Sequence, residues 1–136
     1  MNSIIIYNQP DGSVAYVIPC GETPIDEVQK KDVPQGVESE IVEREKVLPV
    51  DEYFRDAWTW AGKGQPVLED LEKSKAIACE QVKTATRSEI KVVMEAELLG
   101  DPTPKTIEEL QAECAAVVEQ INTANSVDEI KTVLGN

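Results

Sequence analysis

The spacing of apolar positions changes part-way along the chain. Up to residue 60 they come in short β-rich runs separated by turn residues, and after Pro66 they recur at helical spacing. Ser3 to Tyr7 and Ser13 to Ile18 are two such runs, separated by the five turn-forming residues 8–12. Within that segment Pro10 fixes φ for a turn and Gly12 tolerates a positive φ, so the sequence predicts a β-hairpin.

A short helix and a charged strand are predicted after the hairpin. Pro24 suits the first helical position, and the Val33-Pro34 pair ends the helix early. The strand is expected from about Ser39 to Lys46, with one charged face in solvent.

The eleven residues from Val50 to Trp60 hold four of the six aromatic side chains. High β-propensity and the breaker of residues 62–66 favour a strand, with Phe54, Trp58 and Trp60 on one face and Tyr53 on the other. A helix is the alternative, in which Phe54 meets Trp58 one turn later.

These rings are either core or contact surface. Large rings bury more area than other side chains, so a cluster in a chain poor in aromatics is most simply a core. Trp is also enriched among interface anchors. The predicted partner-binding residues are Tyr53, Phe54, Trp58 and Trp60. We expect Trp58 to be core, and Trp60, beside the glycines, to be partly exposed and to contact a partner.

The second half of the chain is expected to be helical. A long helix is predicted from Val67 to Leu99, which lacks Pro and Gly, and residues 100–105 end it. A capping box at Thr106 opens a second helix, and another at Ser126 opens a short terminal helix. The second helix carries a heptad seam of Ile107, Leu110, Cys114, Val117 and Ile121. The seam suits a helical hairpin within the chain or, alternatively, a contact between chains.

Together these elements predict an α+β fold. A small N-terminal antiparallel β domain with one short helix, residues 1–62, is followed by a C-terminal helical hairpin with a short terminal helix, residues 67–136. The breaker at residues 62–66 and the change of hydrophobic period set this boundary.

Net charge excludes several partner classes. The 136 residues carry a formal charge of −13, divided evenly between the two halves. A chain this acidic, without a basic stripe, repels phosphate, so neither nucleic-acid binding nor binding to anionic membranes is expected. The sequence also contains no apolar run long enough to span a membrane.

The residues for common catalytic chemistry are missing. The sequence has no histidine, no glycine-rich phosphate loop and no CxxC pair. The three cysteines, Cys20, Cys79 and Cys114, are expected to be reduced, and Cys20 has no histidine to activate it as a nucleophile. No catalytic, cofactor-binding or metal-binding residues are therefore predicted, and the chain is not expected to be an enzyme.

Several segments, in order, resemble a family of small phage tail-associated proteins encoded beside tail-fibre genes. The most specific are residues 31–36, Lys-Asp-Val-Pro-Gln-Gly, and residues 54–58, Phe-Arg-Asp-Ala-Trp. The apolar N-terminal hairpin, residues 71–76 and the terminal residues 126–131 are similar as well. The helices depart from the family in being net acidic.

The resemblance implies a tail structural or accessory protein, made in the host cytoplasm and located in the virion tail. Its partner would be the tail fibre or a baseplate protein, with several copies around a trimeric fibre, and its role that of adapter or fibre assembly chaperone. The family pattern carries no catalytic residues. The alternative is a small acidic phage-encoded inhibitor of a host protein, although the even charge distribution does not favour a nucleic-acid mimic.

Overall fold

The computed structural model describes residues 2–135 and has an α+β fold. Contacts between Cα atoms divide the chain into two compact units, Met1–Asp70 and Leu71–Asn136. The first contains the strands and two short helices, and the second is helical. The predicted fold class, antiparallel strands with a short helix followed by helices, is confirmed.

The first unit is built on a three-stranded antiparallel sheet. Strand β1 (Ser3–Asn8) lies between β2 (Val14–Val17) and β3 (Ser39–Glu43). The predicted hairpin joins β1 to β2, with Asn8 opposite Val14. Gly12 has a φ of 86°, as its turn requires.

Successive side chains of β1 point to opposite faces of the sheet. Ile4 and Ile6 lie on the inner face, which they share with Val14, Tyr16 and Val42. Ile5 lies on the opposite face and is also completely buried. Helix α1 (Ile25–Asp32) is tied to the sheet because Gln29 Nε2 donates to Ser39 Oγ at 2.8 Å.

Two predicted elements of the first unit are shorter than expected. The charged strand ends at Glu43, and the one-turn helix α2 (Arg44–Val47) replaces its second half. The aromatic stretch is also not one strand. A 3₁₀ turn at Arg55–Ala57 precedes strand β4 (Trp58–Trp60), so Phe54 lies outside the strand.

The long helix begins later than predicted. Residues 67–69 form strand β5 (Val67–Glu69), which pairs antiparallel with β4 and places Val67 opposite Trp60. Helix α3 (Leu71–Leu99) follows. The expectation of a helix from Val67 is wrong because pairing with β4 outweighs helix propensity, which is a weak preference that tertiary contacts override. The breaker at residues 62–66 is the β4–β5 loop and belongs to the first unit.

The second unit is a helical hairpin with a third helix against it. Helices α3 and α4 (Ile107–Asn122) pack together within the chain, and α5 (Val127–Val133) contacts both. Of the predicted seam, Leu110 and Ile121 are buried and the other three are half-buried. Further buried apolar side chains of this unit are Ala78, Val93, Ala124 and Ile130.

The two predicted capping boxes differ. In α4 the box is complete: Thr106 Oγ1 accepts from Glu109 N at 3.1 Å, and Glu109 Oε1 accepts from Thr106 N at 3.4 Å. In α5 only half forms. Ser126 Oγ accepts from Glu129 N, but the Glu129 carboxylate accepts from Asn125 N at 2.7 Å instead.

The β4–β5 loop yields a test of the fold. Gly62 is buried at φ 133°, and an added Cβ would lie 3.2 Å from Glu38 Oε2. Gly64 has φ 81° and open space around it. We expect Gly62→Ala to lower the free energy of unfolding by about 1–3 kcal/mol, and Gly64→Ala by less. The midpoints of urea denaturation of the two variants measure this difference in stability. Equal midpoints would show that the backbone conformation of Gly62 and its contact with Glu38 impose no additional cost.

Candidate partner-binding surface

The two tryptophans lie in the core of the first unit. Trp58 and Trp60 are 1 % and 5 % exposed, and they cluster with five other buried apolar side chains: Ile4, Ile6, Val14, Leu48 and Val67. Asn8 Nδ2 donates to the carbonyl of Trp60 at 2.9 Å and so fixes β4 against the hairpin. Of the three rings predicted to share one face of a strand, Trp58 and Trp60 do so on β4, whereas Phe54 precedes the strand.

The expectation that one tryptophan is exposed is therefore wrong. Trp60 was expected to be partly exposed because it lies at the end of the strand beside the glycines of residues 62–64. Strand β5 and the β4–β5 loop cover the ring, since Val67 pairs opposite Trp60 and the Trp60 indole donates to Gln65 O at 3.2 Å. Trp58 is core, as predicted. Phe54 is also completely buried.

The loop before the 3₁₀ turn carries the exposed part of the aromatic stretch. Tyr53 is 40 % exposed, and its ring lies edge-on to Phe54 with centroids 4.8 Å apart. Val50, at the start of the loop, is fully exposed and is not among the predicted contact residues. Tyr53 N donates to Asp51 Oδ1 at 3.1 Å, so the loop is held by local hydrogen bonds. We call residues 50–53 the aromatic loop.

A cluster around Tyr16 adjoins this loop. The guanidinium of Arg55 lies 4.7 Å from the centre of the Tyr16 ring, and that of Arg44 lies 5.5 Å away. The Tyr16 hydroxyl donates to Glu52, which also pairs with Arg44 at 3.4 Å. Cations over an aromatic face are attracted by the ring quadrupole. Trp58 connects the cluster to the core, with ring centroids 6.3 Å apart.

Sequence reasoning missed this cluster because its members come from separate segments. Tyr16 lies on β2, Arg44 on α2 and Glu52 in the aromatic loop, and no spacing along the chain links them. The one available signal was Arg55, adjacent to Phe54 in the motif that carries the family resemblance. The cluster and the aromatic loop form the candidate surface.

The pKa of Tyr16 lies above its ordinary value. The hydrogen bond to Glu52 is the largest cause, and partial burial and the Glu52 charge add to it, while Arg55 and Arg44 oppose it. The phenol therefore stays protonated at neutral pH and keeps its bond to the carboxylate.

Cysteine and carboxylate side chains are the remaining groups that could carry chemistry. Within residues 2–135 no group of three or more Cys, Asp or Glu side chains is placed to hold a metal ion, and no helix is long and apolar enough to cross a membrane. The cysteines are free. Burial raises the pKa of the Cys79 thiol, which lowers the fraction of reactive thiolate.

Comparison with protein-family models, with curated proteins and with solved structures gives no match for this chain.

The two indole N–H groups allow a matched test of the core. The Trp60 N–H has an acceptor, whereas Trp58 Nε1 is buried without a partner among the described residues. Trp60→Phe loses a hydrogen bond and Trp58→Phe does not. We expect Trp60→Phe to lower the free energy of unfolding by about 1 kcal/mol more, as measured by urea denaturation. An equal or larger loss for Trp58→Phe would contradict a stabilising role of the Trp60 hydrogen bond.

Alkaline titration tests the Tyr16 cluster. Because the folded state raises the pKa of Tyr16, its stabilising contribution is complete below the ordinary value near 10 and is lost as pH rises through the folded pKa. Subtracting the phenolate absorbance of Tyr16→Phe from that of the native chain should give a transition above pH 10. With Glu52→Gln that transition should shift to lower pH. An unchanged transition would exclude Glu52 as the cause.

Proposed function

We propose that this protein is a bacteriophage tail protein that binds the tail fibre or its attachment site, as an adapter or as a fibre assembly chaperone. The observation that carries the proposal is the resemblance of residues 31–36 and 54–58 to small phage tail-associated proteins. It is a proposal about a binding protein, because the sequence offers no catalytic constellation.

The geometry around the second motif supports a binding role. Phe54, Ala57 and Trp58 are all buried, and Ala57 N donates to Phe54 O at 2.8 Å. Three of the five motif residues therefore anchor the chain immediately after the aromatic loop. Of the predicted contact residues, Tyr53 is the exposed one, so the proposal now rests on it.

Tyr53 and Val50 suit an interface anchor in the free protein. Val50 is fully exposed within residues 2–135, and Tyr53 combines an exposed edge with a fixed position against Phe54. Rigid aromatic side chains bind at low conformational-entropy cost, and tyrosines are enriched among residues that dominate binding energy. In this proposal the two side chains fill an apolar depression on the fibre protein. The Arg44, Arg55 and Glu52 side chains supply the polar rim.

Co-purification with the fibre protein encoded in the same genome tests the proposal. The native chain should bind it, and Tyr53→Ala should weaken binding by about 2 kcal/mol, roughly thirtyfold. Val50→Asp should weaken it as well, because it places a charge in an apolar contact. Leu68→Asp is the matched control, since Leu68 is 60 % exposed in the same unit but lies on β5.

Mass spectrometry of purified particles distinguishes the two roles. A copy number that matches the fibres supports an adapter, whereas fibre binding without a place in the particle supports a chaperone. If the chain neither binds the fibre protein nor occurs in particles, the proposal is wrong and the inhibitor alternative is favoured. If binding survives both Tyr53→Ala and Val50→Asp, another surface makes the contact.

A further inference from the structure

An open groove runs between α3 and α4 on one side of the helical unit. Its volume is about 590 Å³, and its apolar floor is formed by Ile90 of α3 together with Cys114, Ala115 and Val118 of α4. Ile90 and Val118 are half-buried and Ala115 is exposed. The shallow floor lets a further helix approach closely, because the α4 side presents small side chains.

The apolar surface continues beyond the groove along α3. Met94 and Leu98 follow Ile90 at intervals of four residues, so the three lie on the same side of the helix. Met94 is 52 % and Leu98 is 86 % exposed. Contiguous exposed apolar side chains can mark an interaction surface, and nothing within residues 2–135 covers Met94 or Leu98.

The flanks of the groove carry opposite charges. Lys83 lines it from the α3 side and Glu119 from the α4 side, and both are exposed. Neither side chain has an ion pair among the described residues. The neighbouring Arg87 also lines the α3 flank, but it is paired with Glu80 at 2.9 Å. An occupant of the groove would therefore meet an exposed cation along one edge and an exposed anion along the other.

We infer that the occupant is a second copy of this chain, and that two helical hairpins form a four-helix bundle. A two-fold axis parallel to the helices places α3 of one copy beside α4 of the other, antiparallel to it. Rotation about this axis preserves height along the bundle. Cys79 of α3 contacts Asn122 of α4 at 3.6 Å. Lys83 and Glu119 each lie about one helical turn from that contact in the same direction, so they line the groove at similar height. Lys83 of each copy therefore faces Glu119 of the other.

Self-complementarity is what selects a second copy. An interface with two-fold symmetry uses the same patch twice, so an attractive pair on one side is repeated on the other. If a uniformly basic helix occupied the groove, it would be repelled by Lys83. A uniformly acidic helix would be repelled by Glu119. Burial of Ile90, Val118 and Met94 supplies the driving force, and the two charge pairs fix the orientation.

Sedimentation equilibrium of the full chain tests the inference. The native chain should form a dimer that dissociates on dilution, and Val118→Glu should weaken its association at least tenfold. Val92→Glu is the matched control. Val92 lies on α3 two residues after Ile90, about 200° around the helix, and is 66 % exposed. Melting followed by circular dichroism verifies that both variants are folded.

Exchange of the two charges gives a second test at exposed positions, where folding is not at risk. Lys83→Glu opposes two acidic side chains across each contact, and Glu119→Lys opposes two basic ones. Each variant alone should associate at least fivefold more weakly than the native chain. An equimolar mixture should recover the native affinity, because both contacts of the mixed dimer again pair opposite charges.

The inference is overturned if the native chain remains a monomer at every concentration reached. It is equally overturned if a dimer forms that Val118→Glu does not weaken, or if mixing the two charge variants recovers no affinity. Loss of association in Val92→Glu but not in Val118→Glu would place the contact on the opposite side of α3.

Discussion

Burial of Trp58 and Trp60 against the inner face of the sheet is the contact on which the first unit depends. A three-stranded sheet exposes two faces, and the isoleucines of β1 make both of them apolar. The inner face therefore requires a second layer. Strand β4 provides this layer with three residues, because Trp58 and Trp60 stand at its two ends. Strand β5 covers Trp60. Large aromatic rings bury enough apolar surface to compensate for the small number of residues in such short strands.

The sequence predicted the parts of this fold that depend on local signals. Turn chemistry fixed the hairpin, capping fixed the start of α4, and the heptad seam fixed the face that α4 presents to α3. The errors occur where contacts with a segment distant in the sequence determine the local structure. Residues 67–69 were predicted to be helical because the residues that follow them are helix formers, but they pair with β4 and form a strand. The error about Trp60 followed from that one, because without β5 its ring had no cover.

The candidate surface shows the same division. Tyr53 was selected because aromatic composition is a local feature, and its exposure results from the turn that separates it from β4. The arginines on the Tyr16 ring come from segments almost thirty residues away and farther, so no spacing rule finds them. The opposite charges on the two sides of the helical groove could not be predicted for the same reason, since Lys83 and Glu119 belong to different helices.

The distribution of chromophores has an experimental consequence. Both tryptophans, all three tyrosines and the one phenylalanine precede residue 61, whereas α3, α4 and α5 hold most of the helical residues. Intrinsic fluorescence therefore reports on the strand unit alone, and the far-ultraviolet signal is dominated by the helical unit. One unlabelled sample thus carries an independent optical probe for each half. Whether the halves unfold as one cooperative system or as two can be read from the coincidence of the two signals.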